Sequence, residues 1–319
     1  MAAALILAAI ACGGGQGGNP SGLYVVYRDG KGGYIDRKGT VKIEFQFDKA
    51  YAFTEHLAVV KLGDRYGYID ERGKIVITPQ YDDAFAFSGG RAIVKTKDRF
   101  GYIDSNNKIT IPTQFEGAGD FAQGLAAVVV GGKTGYVDAT GKVVIVPQFE
   151  SGRVFSQDRA AVRLGGRWGF INRTGTLAIT PQYDSVENFT EGLAAVKTGG
   201  RWGFVDVDGK PAIAPQFDDA SPFAQGFGPI GLGKVGGYID KAGKIVVNPQ
   251  FETVGQFAED VARVKQGGKW GYVGKDGHFV IAPQFEQAFD FTGGLAQVGI
   301  SDLRGYIDRH GKFVWNPSK

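Results

Sequence analysis

Cysteine, histidine and methionine are scarce in this chain of 319 residues, which has one Cys, three His and one Met. A lone cysteine, Cys12, leaves no internal disulfide and no cysteine zinc site. The histidines His56, His278 and His310 fall far apart in the sequence, and no regularly repeated serine accompanies them, so a hydrolase triad is not expected. We predict no catalytic residues, no metal and no cofactor.

An excess of charge of either sign is also missing. The 36 Lys and Arg and 33 Asp and Glu give a net charge of +3 and are interspersed along the chain. Nucleic-acid binding normally requires a basic stripe, so no nucleic-acid partner is expected. Glycine and phenylalanine are abundant instead, at 51 and 23 residues, which indicates many tight turns between short apolar segments.

The first residues form a short apolar segment. Ala2 to Ala11 carry no charge, precede Cys12 and are followed by a glycine-rich stretch. The run is too short to span a bilayer and fits the apolar region of a signal peptide. It resembles a bacterial lipoprotein signal, which implies lipid attachment at Cys12, an extracytoplasmic location and a membrane contact through the lipid only. An ordinary secretory signal or a disordered terminus is the alternative. We divide the chain into this segment at 1–12, a linker at 13–21 and repeats at 22–319.

The rest of the chain repeats every 34 residues. A glycine marks each of nine units: Gly33, Gly67, Gly101, Gly135, Gly169, Gly203, Gly237, Gly271 and Gly305. Gln46, Gln80, Gln114, Gln148, Gln182, Gln216, Gln250 and Gln284 keep the same step, as do Phe53, Phe87, Phe121, Phe155, Phe189, Phe223, Phe257 and Phe291. Three columns in one register establish a tandem array.

Each unit predicts three short strands. In residues 192–225 the apolar runs are separated by the Gly199-Gly200 turn and by the turn at Asp208-Gly209. Such runs and turns are typical of a β-meander, and the glycine pair with a proline excludes the two helices of a tetratricopeptide repeat, which has the same period. Because glycine inside a strand marks a close approach, we expect a side chain of the neighbouring unit to lie on Gly203.

The residue before the column glycine varies, which indicates a partly exposed position. Aromatic rings stand there at Tyr66, Phe100, Trp168, Trp202 and Trp270. If these rings are exposed they could stack on sugars, and if they are buried they pack between units.

Three units carry a full motif in register: Arg167-Trp168-Gly169, Arg201-Trp202-Gly203 and Lys269-Trp270-Gly271, each followed by an aromatic. With the Pro-Gln-Phe/Tyr-Asp/Glu segment, this pattern resembles the WG (KWG) repeats of bacterial proteins over residues 22–319. The resemblance implies a β-repeat module, often on secreted or surface proteins, and supplies no catalytic residues.

An isolated unit cannot bury its apolar face, so the units must stack on one another. Propeller blades usually have four strands and 40 or more residues, whereas these units offer three strands and 34 residues. We therefore expect an all-β, open, solenoid-like array of three-stranded meanders. A closed β-propeller is the alternative.

Two polar columns invite functional hypotheses. The aspartates Asp36, Asp70, Asp104, Asp138, Asp206, Asp240 and Asp308 precede turns, where carboxylates accept backbone hydrogen bonds; the spacing does not match a calcium loop, so we predict turn residues. The glutamine column predicts a polar ladder between units, with sugar recognition as the alternative.

Three classes of function remain. The leading expectation is a non-catalytic scaffold for a protein partner at the cell envelope, because stacked repeats present a long surface. The alternative is a module that binds cell-wall or surface polysaccharide. A hydrolase with an acidic pair is a third class, which would require a pocket that breaks the repeat symmetry.

Overall fold

The computed structural model describes residues 19–318, and this part of the chain is built from β-strands. It divides into two compact units. The first unit contains Gln46–Asn188, and the second contains residues 19–45 together with 189–318. Every sheet is antiparallel, as short connections between successive strands require.

The strands form nine sheets, each made of strands that are consecutive in the sequence. The first sheet has β1 (Leu23–Arg28), β2 (Lys31–Asp36) and β3 (Val41–Phe47). The four sheets of the first unit are β4 (Lys49–Ala50), β5 (Leu57–Leu62), β6 (Arg65–Asp70) and β7 (Ile75–Tyr81); β8 (Asp83–Ser88), β9 (Arg91–Thr96), β10 (Arg99–Ile103) and β11 (Ile109–Phe115); β12 (Gly117–Ala118), β13 (Leu125–Val130), β14 (Lys133–Asp138) and β15 (Val143–Phe149); and β16 (Ser151–Gly152), β17 (Ala160–Leu164), β18 (Arg167–Ile171) and β19 (Leu177–Tyr183). The remaining sheets, in the second unit, are β20 (Ser185–Val186), β21 (Leu193–Thr198), β22 (Arg201–Asp206) and β23 (Pro211–Phe217); β24 (Asp219–Ala220), β25 (Gly228–Leu232), β26 (Val235–Ile239) and β27 (Ile245–Phe251); β28 (Thr253–Ala258), β29 (Val261–Gln266), β30 (Lys269–Gly274) and β31 (Phe279–Phe285); and β32 (Gln287–Ala288), β33 (Ala296–Ile300), β34 (Leu303–Ile307) and β35 (Phe313–Ser318).

Eight of the nine sheets contain an additional strand that the sequence pattern did not predict. Eight sheets have four strands rather than the expected three, and among the described residues only the first sheet has three. In six of the eight the additional strand is two residues long, such as Asp219–Ala220. Two residues carry no alternation of apolar and polar side chains, so the three-stranded meander was wrong by one strand.

The hairpin between the long strands follows directly from glycine. Gly199 and Gly200 both have positive φ, 58° and 81°, at the turn between β21 and β22. A two-residue turn of this handedness matches the twist of the strands it joins, and glycine adopts it without steric cost.

Aromatic rings form the core between neighbouring sheets. The Tyr102 ring meets the Phe121 ring of the next sheet edge to face, with centroids 4.9 Å apart. Phe204 and Phe223 repeat the contact in the second unit at 5.0 Å. Edge-to-face pairs of buried rings are favourable, which explains why phenylalanine recurs every 34 residues.

The first and last sheets of the chain pack against each other within the second unit. The Ser318 hydroxyl donates to the Tyr27 carbonyl at 2.7 Å, and the Tyr24 and Tyr306 rings lie 5.4 Å apart. An open array would keep its first and last repeats apart, so the open solenoid-like array was wrong. This contact favours the alternative, a β-propeller, in which each sheet is a blade. A blade of 34 residues accommodates four strands because the additional strand is two residues long in six blades and in the other two, at β8 and β28, takes up residues that form a connection elsewhere.

Candidate functional site

The aromatic rings before the column glycine are packed rather than displayed. Tyr66, Phe100 and Trp202 are buried, with at most 9% of each exposed. Trp168 and Trp270 are half-buried. The expectation of a partly exposed position therefore describes only the last two.

A cation lies over each of these rings. Lys197, directly opposite Trp202 on the neighbouring strand, places Nζ 5.8 Å from the ring centroid. Tyr66 and Phe100 are covered by Lys61 and Lys95 in the same way, at 5.6 and 5.7 Å. Arg153 covers Trp168 at 5.4 Å and Arg263 covers Trp270 at 5.6 Å. These cation–π contacts occupy ring faces that a sugar would need.

The column glycine is covered by backbone of its own sheet. In β22 and β23, Trp202 pairs with Phe217 while Phe204 pairs with Ile213, so β23 bulges opposite Gly203. A β-carbon at Gly203 would lie 2.5 Å from the Ile213 carbonyl oxygen. The expectation that a neighbouring unit's side chain covers this glycine was wrong. The other glycines of the column, Gly33, Gly67, Gly101, Gly135, Gly169, Gly237, Gly271 and Gly305, meet the corresponding backbone of their own sheets.

The glutamine column does not form a ladder. All eight glutamines are exposed on the last strands of their sheets, and the Gln80 amide donates to the Thr78 carbonyl of its own strand. The prediction of a polar ladder at this column was wrong.

A polar ladder exists at a different column, in the loops between the first two strands of each blade. The Glu191 carboxylate accepts from the Gly226 N–H at 3.1 Å, and the Gln225 amide oxygen accepts from the Asp260 N–H at 2.9 Å. Glu55, Gln123 and Glu259 accept from the following loop in the same way. Sequence reasoning missed this column because the residue at this position varies among Glu, Gln and Gly, so no single residue type repeats.

The aspartate column consists of turn residues, as predicted. Asp206 Oδ1 accepts from the N–H groups of Asp208 and Lys210, at 3.0 and 2.9 Å. Asn172 makes the same two bonds in its unit, so the position requires an oxygen acceptor rather than a negative charge. The Thr40 N–H is the largest cause that lowers the pKa of Asp36.

The acid of the Pro-Gln-Phe/Tyr-Asp/Glu segment joins adjacent blades. Asp218 accepts from the Gly233 N–H at 2.7 Å in the turn of its own sheet, and it pairs with Arg201 of the preceding sheet. The Gly233 N–H, followed by Arg201, holds the pKa of Asp218 below its usual value despite partial desolvation. The signal for this pair was the constant 17-residue spacing between base and acid.

In each of the four sheets of the first unit, the last strand begins with an exposed aliphatic residue. The four residues Ile75, Ile109, Val143 and Leu177, which we call the aliphatic band, are between 42% and 58% exposed. They keep the 34-residue step, so they recur on consecutive blades. Exposed lysines precede three of them, at Lys74, Lys108 and Lys142.

One cleft departs from the repeat. It lies in the second unit, has a volume of about 270 Å³, and is lined by residues of β24–β28, among them Gly231, Val235 and Gly236. Asp219 and Glu252 also line it, but both are exposed. A general acid of a glycosidase needs burial to raise its pKa, so the cleft does not support hydrolysis.

The three histidines are exposed, and His56 Nδ1 lies 3.0 Å from a Glu71 carboxylate oxygen. Within residues 19–318, no group of three or more His, Cys, Asp or Glu side chains is arranged to hold a metal ion. In the same residues no helix is long and apolar enough to cross a membrane. Cys12 and the segment before it lie outside the described residues.

Comparison with known proteins gives a family and a fold. A family model described as "WG containing repeat" matches residues 33–66, 66–99, 100–133, 135–168, 168–202, 202–234, 237–270 and 270–302. No curated protein matches the chain. Among solved structures, a eukaryotic initiation factor superposes with a TM-score of 0.65 at 11% identity, covering 92% of this chain and 94% of that one. Dihydro-heme d1 dehydrogenase NirN, in complex with DHE, gives 0.51 at 14% identity, with 94% and 74% covered. At these identities the likeness concerns the fold alone, and the second relative is an enzyme.

Proposed function

Because this chain belongs to the family of proteins with WG-containing repeats, we propose that it is a non-catalytic binding protein and that its partner is another protein at the cell envelope. The aliphatic band is the observation that carries the proposal. Aliphatic side chains on four consecutive blades present apolar surface to water. A partner that covers this surface removes it from water, and the hydrophobic free energy released stabilises the complex. Repeat arrays commonly bind through such extended surfaces.

The last strands of the sheets favour docking through side chains rather than through backbone pairing with a partner strand. The last strand of each sheet lies at its edge, and a proline interrupts this strand in every sheet but the first, as Pro79 does in β7 and Pro147 in β15. Proline cannot donate a hydrogen bond, so it opposes the addition of a partner strand. The lysines beside the band favour a partner whose apolar patch is bordered by acidic groups.

The envelope location is part of the proposal and rests on the apolar segment before Cys12. A lipid at that cysteine would hold the propeller at a membrane surface, where partners in the envelope are concentrated.

The test replaces the band without disturbing the core. The variant Ile75→Ser/Ile109→Ser/Val143→Ser changes only exposed positions, and Gln80→Ser/Gln114→Ser/Gln148→Ser is the matched control on the same strands. Both tagged proteins are crosslinked in cells and the captured proteins are quantified. We expect the band variant to lose a partner that the wild type and the control retain. Equal capture by all three would refute the proposal.

Polysaccharide binding is the second candidate, favoured by the row of exposed glutamines. Trp168 and Trp270, which are half-buried beneath Arg153 and Arg263, report on such binding. Tryptophan fluorescence with acrylamide quenching, measured with and without envelope polysaccharides, tests it. Protection of the emission by a glycan, lost in the glutamine variant, would favour this function over a protein partner.

A further inference from the structure

The sheet β24–β27 departs from the repeat at three columns at once. In the preceding sheet, Lys197 lies over the Trp202 ring and Arg201 pairs with Asp218. The residues 34 positions later are Gly231, Val235 and Gly236. This blade has thus lost the ring, the cation over the ring, and the cation that pairs with the acid of the next blade.

The cleft lies where these groups are missing. Gly231, Val235 and Gly236 all line it, and apolar contacts come from Ile230 and from Val254 of β28. Val254 fills part of the space, since a β-carbon at Gly236 would lie 2.8 Å from one of its methyl groups. The corresponding residue beside Trp202 is the smaller Ala220, so the bulk of the ring has been only partly replaced.

An acid remains in the cleft without its usual cation. Glu252 occupies the column of Asp218 and Glu286, which pair with Arg201 and Lys269. It accepts from the Gly268 N–H at 3.1 Å, but among residues 19–318 it has no ion-pair partner because Val235 stands in the basic position. With Asp219 at −1, Glu252 at −1 and Lys234 at +1, the lining has a net charge of −1.

We propose that this cleft binds an aromatic side chain of a partner polypeptide together with a Lys or Arg next to it in sequence. The ring would take the place of the missing tryptophan over Ile230, and the cation would pair with Glu252. Drug-sized ligands occupy pockets of about 300–1,000 Å³, so 270 Å³ suits a single ring system. Because the missing groups are amino-acid side chains in a fixed arrangement, a polypeptide supplies both.

The inference rests on the proposed function in one respect, that the partner is a protein. It uses a different surface in the other compact unit, so the two can fail separately. Loss of the partner by the aliphatic-band variant, without any peptide binding at the cleft, would support only the proposed function. Peptide binding at the cleft, without any effect of the aliphatic-band variant on partner capture, would support only the inference about the cleft.

Short capped peptides provide the direct test. Binding of Gly-Arg-Trp-Gly, Gly-Arg-Ala-Gly and Gly-Glu-Trp-Gly to the full chain is measured by NMR titration or calorimetry. We expect the first peptide to bind about tenfold more tightly than either of the others, since each lacks one of the two groups. Absence of binding, or equal binding of all three, would overturn the proposal.

Two variants locate the binding. Gly236→Trp/Val254→Ala restores the ring and the small neighbouring residue of the preceding blade, fills the cleft and should abolish peptide binding while the protein remains folded by circular dichroism. Glu252→Gln should weaken binding of the arginine peptide about tenfold, whereas Glu286→Gln, the same change in the next blade, should leave it unaltered. Undiminished binding to the filled variant would show that the peptide binds elsewhere.

Discussion

The carbonyl oxygen of Ile213 lies over the α-carbon of Gly203, where a β-carbon would approach it to 2.5 Å. The obstacle is the backbone of the bulged strand β23 and not a side chain that can rotate away. We therefore expect Gly203→Ala to destabilise the protein by about 1–3 kcal/mol, and Gly203→Val to do so more severely.

Urea unfolding measures the effect, and Gly200→Ala is the control. At Gly200 nothing lies within 4 Å of a β-carbon, and only its φ of 81° is unfavourable for alanine. A stability for Gly203→Ala equal to that of the wild type would contradict the close approach.

The turn at Asp206 needs an acceptor and not a charge. Asn172 fulfils the same role in its own unit, so Asp206→Asn should be nearly neutral. Asp206→Ala leaves the N–H groups of Asp208 and Lys210 without their acceptor and should cost about 1 kcal/mol. Thermal melting checks both variants, and a rise in the wild-type melting temperature on adding calcium that is lost in Asp206→Asn would instead indicate a metal site.

Buried tyrosine hydroxyls make the fold sensitive to alkali. Burial is the largest cause that raises the pKa of each of Tyr68, Tyr102, Tyr136, Tyr238, Tyr272 and Tyr306. In the unfolded chain these groups ionise near pH 10, whereas in the fold they stay protonated. Above about pH 10 the unfolded state binds fewer protons, so stability is fully present below that pH and falls as the pH rises.

Each such tyrosine lowers stability by up to about 1.4 kcal/mol per pH unit in that range. Urea midpoints from pH 8 to 11.5, with absorbance of ionised tyrosine, give the slope. Tyr102→Phe should reduce the slope by one group while losing the hydrogen bond to the Gly119 carbonyl at neutral pH. A flat profile would show that the hydroxyls are accessible.

The segment before Cys12 predicts lipid attachment at that cysteine. Cells grown with radiolabelled palmitate should yield a labelled wild type that fractionates with membranes, whereas Cys12→Ser should be unlabelled and released. Gln16→Ala is the control that should keep the label. Membrane-free, unlabelled wild type would leave an ordinary secretory signal as the better interpretation.

The sequence was sufficient to predict the repeat, the three long strands of each blade and the role of the aspartate column. These features depend on local chemistry: Gly-Gly pairs accept positive φ, alternating apolar residues form strands, and Asp206 caps a turn within four residues of itself. Their physical causes lie inside one 34-residue unit, so every copy repeats the signal.

Features that depend on contacts between distant residues were decided only by the tertiary structure. Whether the first and last repeats meet depends on the packing of Tyr24 against Tyr306, which are remote in sequence, and the burial of Trp202 depends on the blade that follows it. The altered residues Gly231, Val235 and Gly236 are present in the sequence, but no cleft follows from them alone. Only folding brings them together beside Glu252, because a cavity is a property of what surrounds a residue and not of the residue itself.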